Sequence, residues 1–284
     1  MNRRPAKFPL PGRPLLGLLA AAVLLSGCGD STPAADTSSP ASPSESTTTV
    51  PPSTAPPTTL PALPPEGLGP GARGEAVRFV ESRLDGMHFD VGNVDDVFDD
   101  LTVFGVQAFQ KVAGVNPIDG RVTQPVLERL AGAQPPTPLV PGGGTTRVEI
   151  DLPRQVLLLY ENDRLTRVLP VSSGTGQPYC YRGKCGDALT PAGAFRVDYF
   201  KPGWDDSPLG ELYNPVYFNP KEGIAIHGYP EVPTQPASHG CVRIPMTAAE
   251  WFHTKVPKGT PVYVIDGKTP VGPLAPGDPG AAGP

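Results

Sequence analysis

Three regimes of apolar spacing divide the chain. Leu15 to Leu25 (LLGLLAAAVLL) is one continuous apolar run. Between 68 and 133 apolar positions recur at helical intervals. Val77, Val80 and Leu84 stand at i, i+3, i+7; Val106, Phe109 and Ala113 follow the same period; Val126, Leu127 and Leu130 make a third short face. Turn signals at Asp85-Gly86, Val91-Gly92-Asn93 and Asp119-Gly120 separate them. The pattern predicts three short helices around a small core. From 146 to 266 the spacing changes to alternating or β-branched runs: TRVEID (146–151), QVLLLY (155–160), RVLPV (167–171), AFRVDY (194–199), PVYF (215–218), IAIH (224–227) and PVYVI (261–265). Thr247 and Glu250 have capping-box spacing and predict one late helix through Trp251, Phe252 and Val256. Short, regularly spaced strands with one late helix predict a mainly β domain, sandwich or barrel-like.

Composition adds the segments between these elements. The 284 residues include 40 Pro and 33 Gly, concentrated toward the two ends. From 29 to 66 Ser, Thr and Pro dominate, which predicts a disordered tether with too little apolar surface to fold. As a stiff Pro-rich chain it reaches on the order of 100 Å. The expected organisation is a leader at 1–28, the tether at 29–66, the helical domain at 67–133 and a linker at 134–145. The β domain follows at 146–266, with a disordered Gly/Pro tail at 267–284. A net charge of −5 gives no support to a nucleic-acid partner, which calls for a basic patch.

The first apolar run follows Arg3, Arg4, Lys7 and Arg13. About three helical turns fall short of a bilayer core of roughly 30 Å and suit a signal-peptide h-region. The LSGC that closes it (Leu25 to Cys28) resembles the lipobox of bacterial lipoproteins. The resemblance implies lipidation at Cys28, and an exported protein anchored on the outer face of the cytoplasmic membrane that acts in the cell wall. The plainer alternative is a secretory signal with a chance cysteine.

Three cysteines remain. Cys180 and Cys185 bracket CYRGKC, where Gly183 permits a tight turn. In an exported chain they are the natural disulfide, closing a small loop worth about 2 kcal/mol. A structural zinc site would want closer spacing, and no metal is expected. Cys241 is then left over, and an odd exported cysteine suggests a reactive thiol. A nucleophilic thiol needs a base or a positive neighbour. His88 falls in the helical region and His253 on the late helix, leaving His227 at the end of GIAIH and His239 beside Cys241. His239 shares a strand face with Cys241 unless Gly240 turns the chain.

HG at Gly228, a Pro-rich loop and then SHGCVRI resemble the catalytic domain of L,D-transpeptidases of the YkuD type. So do DLPRQVLLLYEND (151–163), VSSGTG (171–176), TPAGAFRV (190–197) and GTPVYV (259–264). The CYRGKC insertion departs from the minimal pattern. LGPGARGEAVRFVESRL (68–84), VDDVFDDLT (94–102), VQAFQKVAGV (106–115) and IDGRV (118–122) resemble the three-helix peptidoglycan-binding domain, with Asp96 where that family usually has glycine.

What the resemblance implies is specific. Cys241 is the nucleophile and His227 its base, oriented by a backbone carbonyl, expected at Gly228. His239 is counted with them in the catalytic set and with Ser238 shapes the loop, and the backbone N–H groups of Gly240 and Cys241 form the oxyanion hole. Arg243 grips a substrate carboxylate, or else makes a structural salt bridge. The partners implied are peptidoglycan stem peptides and glycan, with no cofactor. Cys241 attacks the third residue of a stem tetrapeptide, a diamino acid, and terminal D-alanine leaves. A second stem's amine then gives a 3→3 cross-link, or water gives an L,D-carboxypeptidase. KPGWDDSPLGELY (201–213) is expected as a lid or an exposed loop, and Tyr213 and Tyr217 as possible hydroxyls near the site. Three rivals stand beside this reading. A sortase-like enzyme fits SHGC and its spacing poorly. A zinc D,D-peptidase would use His227 and His239 with an Asp. A non-catalytic wall-binding lipoprotein would leave the Cys-His set without a use.

Overall fold

The computed structural model describes residues 60–280. Cys28, the apolar run and most of the tether lie outside them. Among the described residues no helix is long and apolar enough to cross a membrane.

The helical region forms α1 (Glu75–Asp85), α2 (Asp100–Ala113) and α3 (Gln124–Ala131). Their apolar faces, including Val77, Val80, Leu84, Val106, Phe109 and Leu127, close a core in which Phe89 meets Phe109 edge-on. Asp99 caps α2 by accepting the Thr102 N–H, and Gly114 ends it in the left-handed conformation. Asp96 explains its own departure from glycine. Its φ is +63°, a region glycine enters freely. The aspartate is held there by its N–H to Glu81 and its carboxylate to Arg78.

The β region is a two-sheet sandwich. The first sheet has the order β3-β2-β1-β12-β6, from β1 (Arg147–Asp151), β2 (Val156–Glu161), β3 (Arg164–Pro170), β6 (Gly193–Arg196) and β12 (Pro261–Ile265). The second has the order β11-β10-β9-β7, from β7 (Tyr199–Phe200), β9 (Gly210–Asn219), β10 (Ile224–Gly228) and β11 (Val242–Ile244). β8 (Trp204–Ser207) pairs with the first half of β9. Among the described strand pairs, β1–β12 and β10–β11 run parallel. The inward faces share one core with Phe252 of the late helix, α4 (Met246–Lys255). Each fully buried Val, Leu or Ile there contributes about 1.5–3 kcal/mol.

One expectation changes, and two segments gain detail. The late helix begins at Met246 with Pro245 at its cap, so Thr247 lies inside it, and Glu250 instead accepts the Tyr213 hydroxyl. CYRGKC is a hairpin, β4 (Pro178–Tyr181) and β5 (Lys184–Asp187), turned by Arg182 and Gly183 at positive φ. The tail to Gly280 forms no helix or strand, yet it is tied down: Arg196 donates to the carbonyls of Ala275 and Asp278. The helical domain also extends the first sheet, because Val168 of β3 exchanges backbone hydrogen bonds with His88 and Asp90.

Candidate active site

Strand alternation builds the site. On β10 Ile224 and Ile226 point into the core, so Ala225 and His227 face the other way. On β11 Val242 and Ile244 point inward, which turns Arg243 outward beside its register partner His227. One step earlier Cys241 comes beside Ala225, whose N–H reaches Sγ at 3.4 Å. On the other flank Ala225 pairs with Tyr217, which stacks on Tyr199. One sheet face therefore carries Tyr217, His227, Cys241 and Arg243 together. They open on a cavity of about 710 Å³, also lined by Tyr179, Ser238 and His239.

His227 is 2% exposed. Its Nδ1 lies 2.9 Å from the Gly228 carbonyl. A carbonyl only accepts, so Nδ1 carries the proton and Nε2 is left with its lone pair. Burial, with a smaller push from Arg243, lowers the His227 pKa to about 4 against the pull of Gly228. Gly228 sits where a Cβ would come within 2.7 Å of Ala249 on α4, so a larger residue there would displace the histidine's strand. Burial raises the Cys241 pKa; the Ala225 N–H and Arg243 oppose it. Burial thus favours the neutral form of both groups, and the Cys241 thiol donates to the Gly223 carbonyl at 3.5 Å.

The loop before Cys241 is held by side chains from elsewhere. Thr190 Oγ1 donates to the Gly240 carbonyl at 2.6 Å and accepts the Gly174 N–H. Gly240 adopts φ +143°, and a Cβ there would press on the Leu189 carbonyl at 2.8 Å. The Gly240 N–H donates to Ser238 Oγ at 3.0 Å, and that hydroxyl donates to the Cys241 carbonyl. The Gly240 N–H, one of the two donors expected at an oxyanion hole, is thus engaged by Ser238 within the loop. His239 is exposed and packs edge-on against Tyr179 of the hairpin that Cys180 and Cys185 close as a disulfide.

Arg243 makes no ion pair among the described residues; its guanidinium lies 4.1 Å over the Tyr229 ring. The 201–213 segment is the β8–β9 hairpin, whose tip at Pro208 and Leu209 forms one wall of the cavity. Asp205 in that wall accepts from Lys201 and from the Tyr217 hydroxyl. Tyr213 points its hydroxyl to Glu250, away from this set. His253 stacks on Phe200. Among the described residues no group of three His, Cys, Asp or Glu is placed to hold a metal ion. Thr190 and Tyr179 carry no signal as site residues in the sequence beyond Thr190's place in TPAG.

The L,D-transpeptidase catalytic domain (YkuD) family matches residues 145–264, and a peptidoglycan binding domain family matches residues 73–130. Among solved structures, an L,D-transpeptidase from Xylanimonas cellulosilytica is 35% identical with a TM-score of 0.65, over 72% of this chain and 100% of that one. An L,D-transpeptidase from Stackebrandtia nassauensis is 22% identical with a TM-score of 0.42, over 73% of this chain and 100% of that one. Among curated proteins, none matches.

Proposed function

The chain belongs to the L,D-transpeptidase family, and from that premise we propose that it forms 3→3 peptidoglycan cross-links through a thioester on Cys241. The two matched domains make peptidoglycan the partner and the cell wall the setting. The observation that carries the finer reading is the shared sheet face of Cys241 and His227, with the imidazole proton fixed on Nδ1.

The stem tetrapeptide enters the cavity with the carbonyl of its third residue toward Sγ. Neutral His227 takes the thiol proton at Nε2 as sulfur bonds to the carbonyl carbon. The tetrahedral oxyanion takes the Cys241 N–H as donor. On collapse, the carbon–nitrogen bond to D-alanine breaks and the imidazolium returns the proton to that amine. The side-chain amine of a second stem then attacks the thioester, His227 accepts its proton, and the thiol is regenerated. Water in place of the amine gives the carboxypeptidase. Arg243, which has no carboxylate partner among the described residues, would bind a stem carboxylate bidentately. A thiol and imidazole that rest neutral couple proton transfer to attack, which keeps the sulfur unreactive until substrate arrives.

The anchoring belongs to the same proposal. Cys28 as a lipidation site and the Pro-rich tether would carry the enzyme from the membrane to the wall. Incubation of the purified chain with tetrapeptide muropeptides, products read by mass, tests the chemistry. Dimers lacking one D-alanine are expected. A Cys241→Ala variant with undiminished product would refute it.

A further inference from the structure

A lysine of the helical domain is buried against the catalytic domain. Lys111 on α2 is 5% exposed, and its Nζ donates to two carbonyls of the β domain, Gln155 and Val171, each at 3.0 Å. Removing an ammonium from water is costly, so a position that required only apolar packing would be served by Leu or Met. Burial lowers the Lys111 pKa to about 8, so it carries its charge at neutral pH and its hydrogen bonds are charge-assisted.

What those two carbonyls lead to is the nucleophile loop. The Gln155 side chain holds Ser173 from both sides: Nε2 donates to Ser173 Oγ and Oε1 accepts the Ser173 N–H, both at 2.8 Å. The Ser173 carbonyl accepts the N–H groups of Ala237 and Ser238 at 2.9 Å. Ser238 Oγ in turn binds the Gly240 N–H and the Cys241 carbonyl. Beside this chain, Ser172 exchanges backbone hydrogen bonds with Arg243. Gln155, Ser172, Ser173 and Ser238 are all buried, so the path runs where water does not compete.

We infer that Lys111 is a positioning residue for Cys241: through Gln155 and Ser173 the helical domain fixes the loop that carries the nucleophile. The helical domain is then part of the catalytic apparatus and not only a wall-binding module. The inference rests on Cys241 being the nucleophile. Sulfur displaced from the in-line position slows attack without weakening the grip on the stem, so the loss falls on kcat and not on KM.

The test uses the full chain with Lys111→Met, which keeps the stem and removes the donors. Two quantities are read: kcat and KM for a tetrapeptide muropeptide, and the rate of Cys241 alkylation by iodoacetamide, followed by peptide mass. The expected result is kcat lower by about tenfold with KM within about twofold, and an alkylation rate moved at least about threefold from wild type. A folded Lys111→Met with wild-type kcat and wild-type alkylation overturns the inference, whatever its melting temperature. If that variant does not fold, Ser173→Ala removes the next link; about a threefold fall in kcat at constant KM is expected, and an unchanged kcat overturns it. The two readings fail separately. Activity retained in Cys241→Ala sinks the nucleophile assignment, whereas an active wild type with indifferent variants sinks only the positioning role.

Discussion

The two sides of the candidate active-site cavity are built on different principles. His227 and Arg243 sit on strands, and their direction follows from the inward neighbours Ile226, Val242 and Ile244. The segment Ser238–Gly240 sits on a loop with a left-side φ at Gly240, and its shape depends on Thr190, Ser173 and Gly174. The strand side is set by apolar burial, which tolerates conservative change. The loop side is set by buried polar contacts, where one missing partner leaves others unsatisfied. On the proposed reading, a base held rigidly on a sheet works with a nucleophile whose loop is positioned by distant residues.

On this division, the largest effect comes from His227 on the strand side. His227→Gln keeps the buried amide-sized shape and removes the base, so kcat/KM is expected to fall by about 10²–10⁴ with the fold intact by circular dichroism. The same variant changes acid stability. The folded pKa of about 4 lies below the ordinary value of 6.5, so the unfolded chain binds more protons between them. Stability from this group is complete above about pH 6.5 and lost as pH falls through 4, a span of up to about 3 kcal/mol. Urea titrations across that window should show the acid decline in the wild type and a flatter one in His227→Gln.

On the loop side, Thr190→Val strands the Gly240 carbonyl and the Gly174 N–H. The expected cost is about 1–3 kcal/mol per unsatisfied group, read as a lower melting temperature, with kcat down about tenfold. A wild-type kcat in that variant would show that the loop holds its shape without the threonine. A smaller effect belongs to the hairpin. Replacing Cys180 and Cys185 by Ser removes a short crosslink worth about 2 kcal/mol, and amide exchange should quicken across β4 and β5. Because Tyr179 then packs less firmly on His239, KM should rise by about threefold while kcat stays. The smallest effect lies far from the cavity. Asp96→Gly relieves the φ of +63° and gives up the exposed contact with Arg78, so stability should move by no more than about 0.5 kcal/mol.

The same division separates what the sequence makes legible from what it does not. Alternation in GIAIH and CVRI is local, so the outward direction of His227, Cys241 and Arg243 can be read from those two short stretches. Helical periodicity likewise places Val77, Val80 and Leu84 on one buried face. The polar contacts are not local. Lys111 meets Gln155 and Val171 across 44 and 60 residues, and Thr190 meets Gly240 across 50. Nothing in their immediate neighbours distinguishes Lys111 from a surface lysine. The capping-box spacing misleads for a related reason: Glu250 is taken by Tyr213, a partner 37 residues away, and proline starts the helix instead. Tyr179 is hidden because the hairpin that presents it interrupts the pattern in which the rest of the site is written.

The most direct test is the mass of the Cys241 peptide sampled during turnover. The purified chain is mixed with a tetrapeptide muropeptide that ends in D-alanine, quenched in acid within the first turnovers and digested. An adduct equal to the donor less D-alanine, confined to the peptide that carries Cys241 and discharged by hydroxylamine, is the predicted result. Products formed at the wild-type rate with no adduct at Cys241, or with one on another residue, would contradict it.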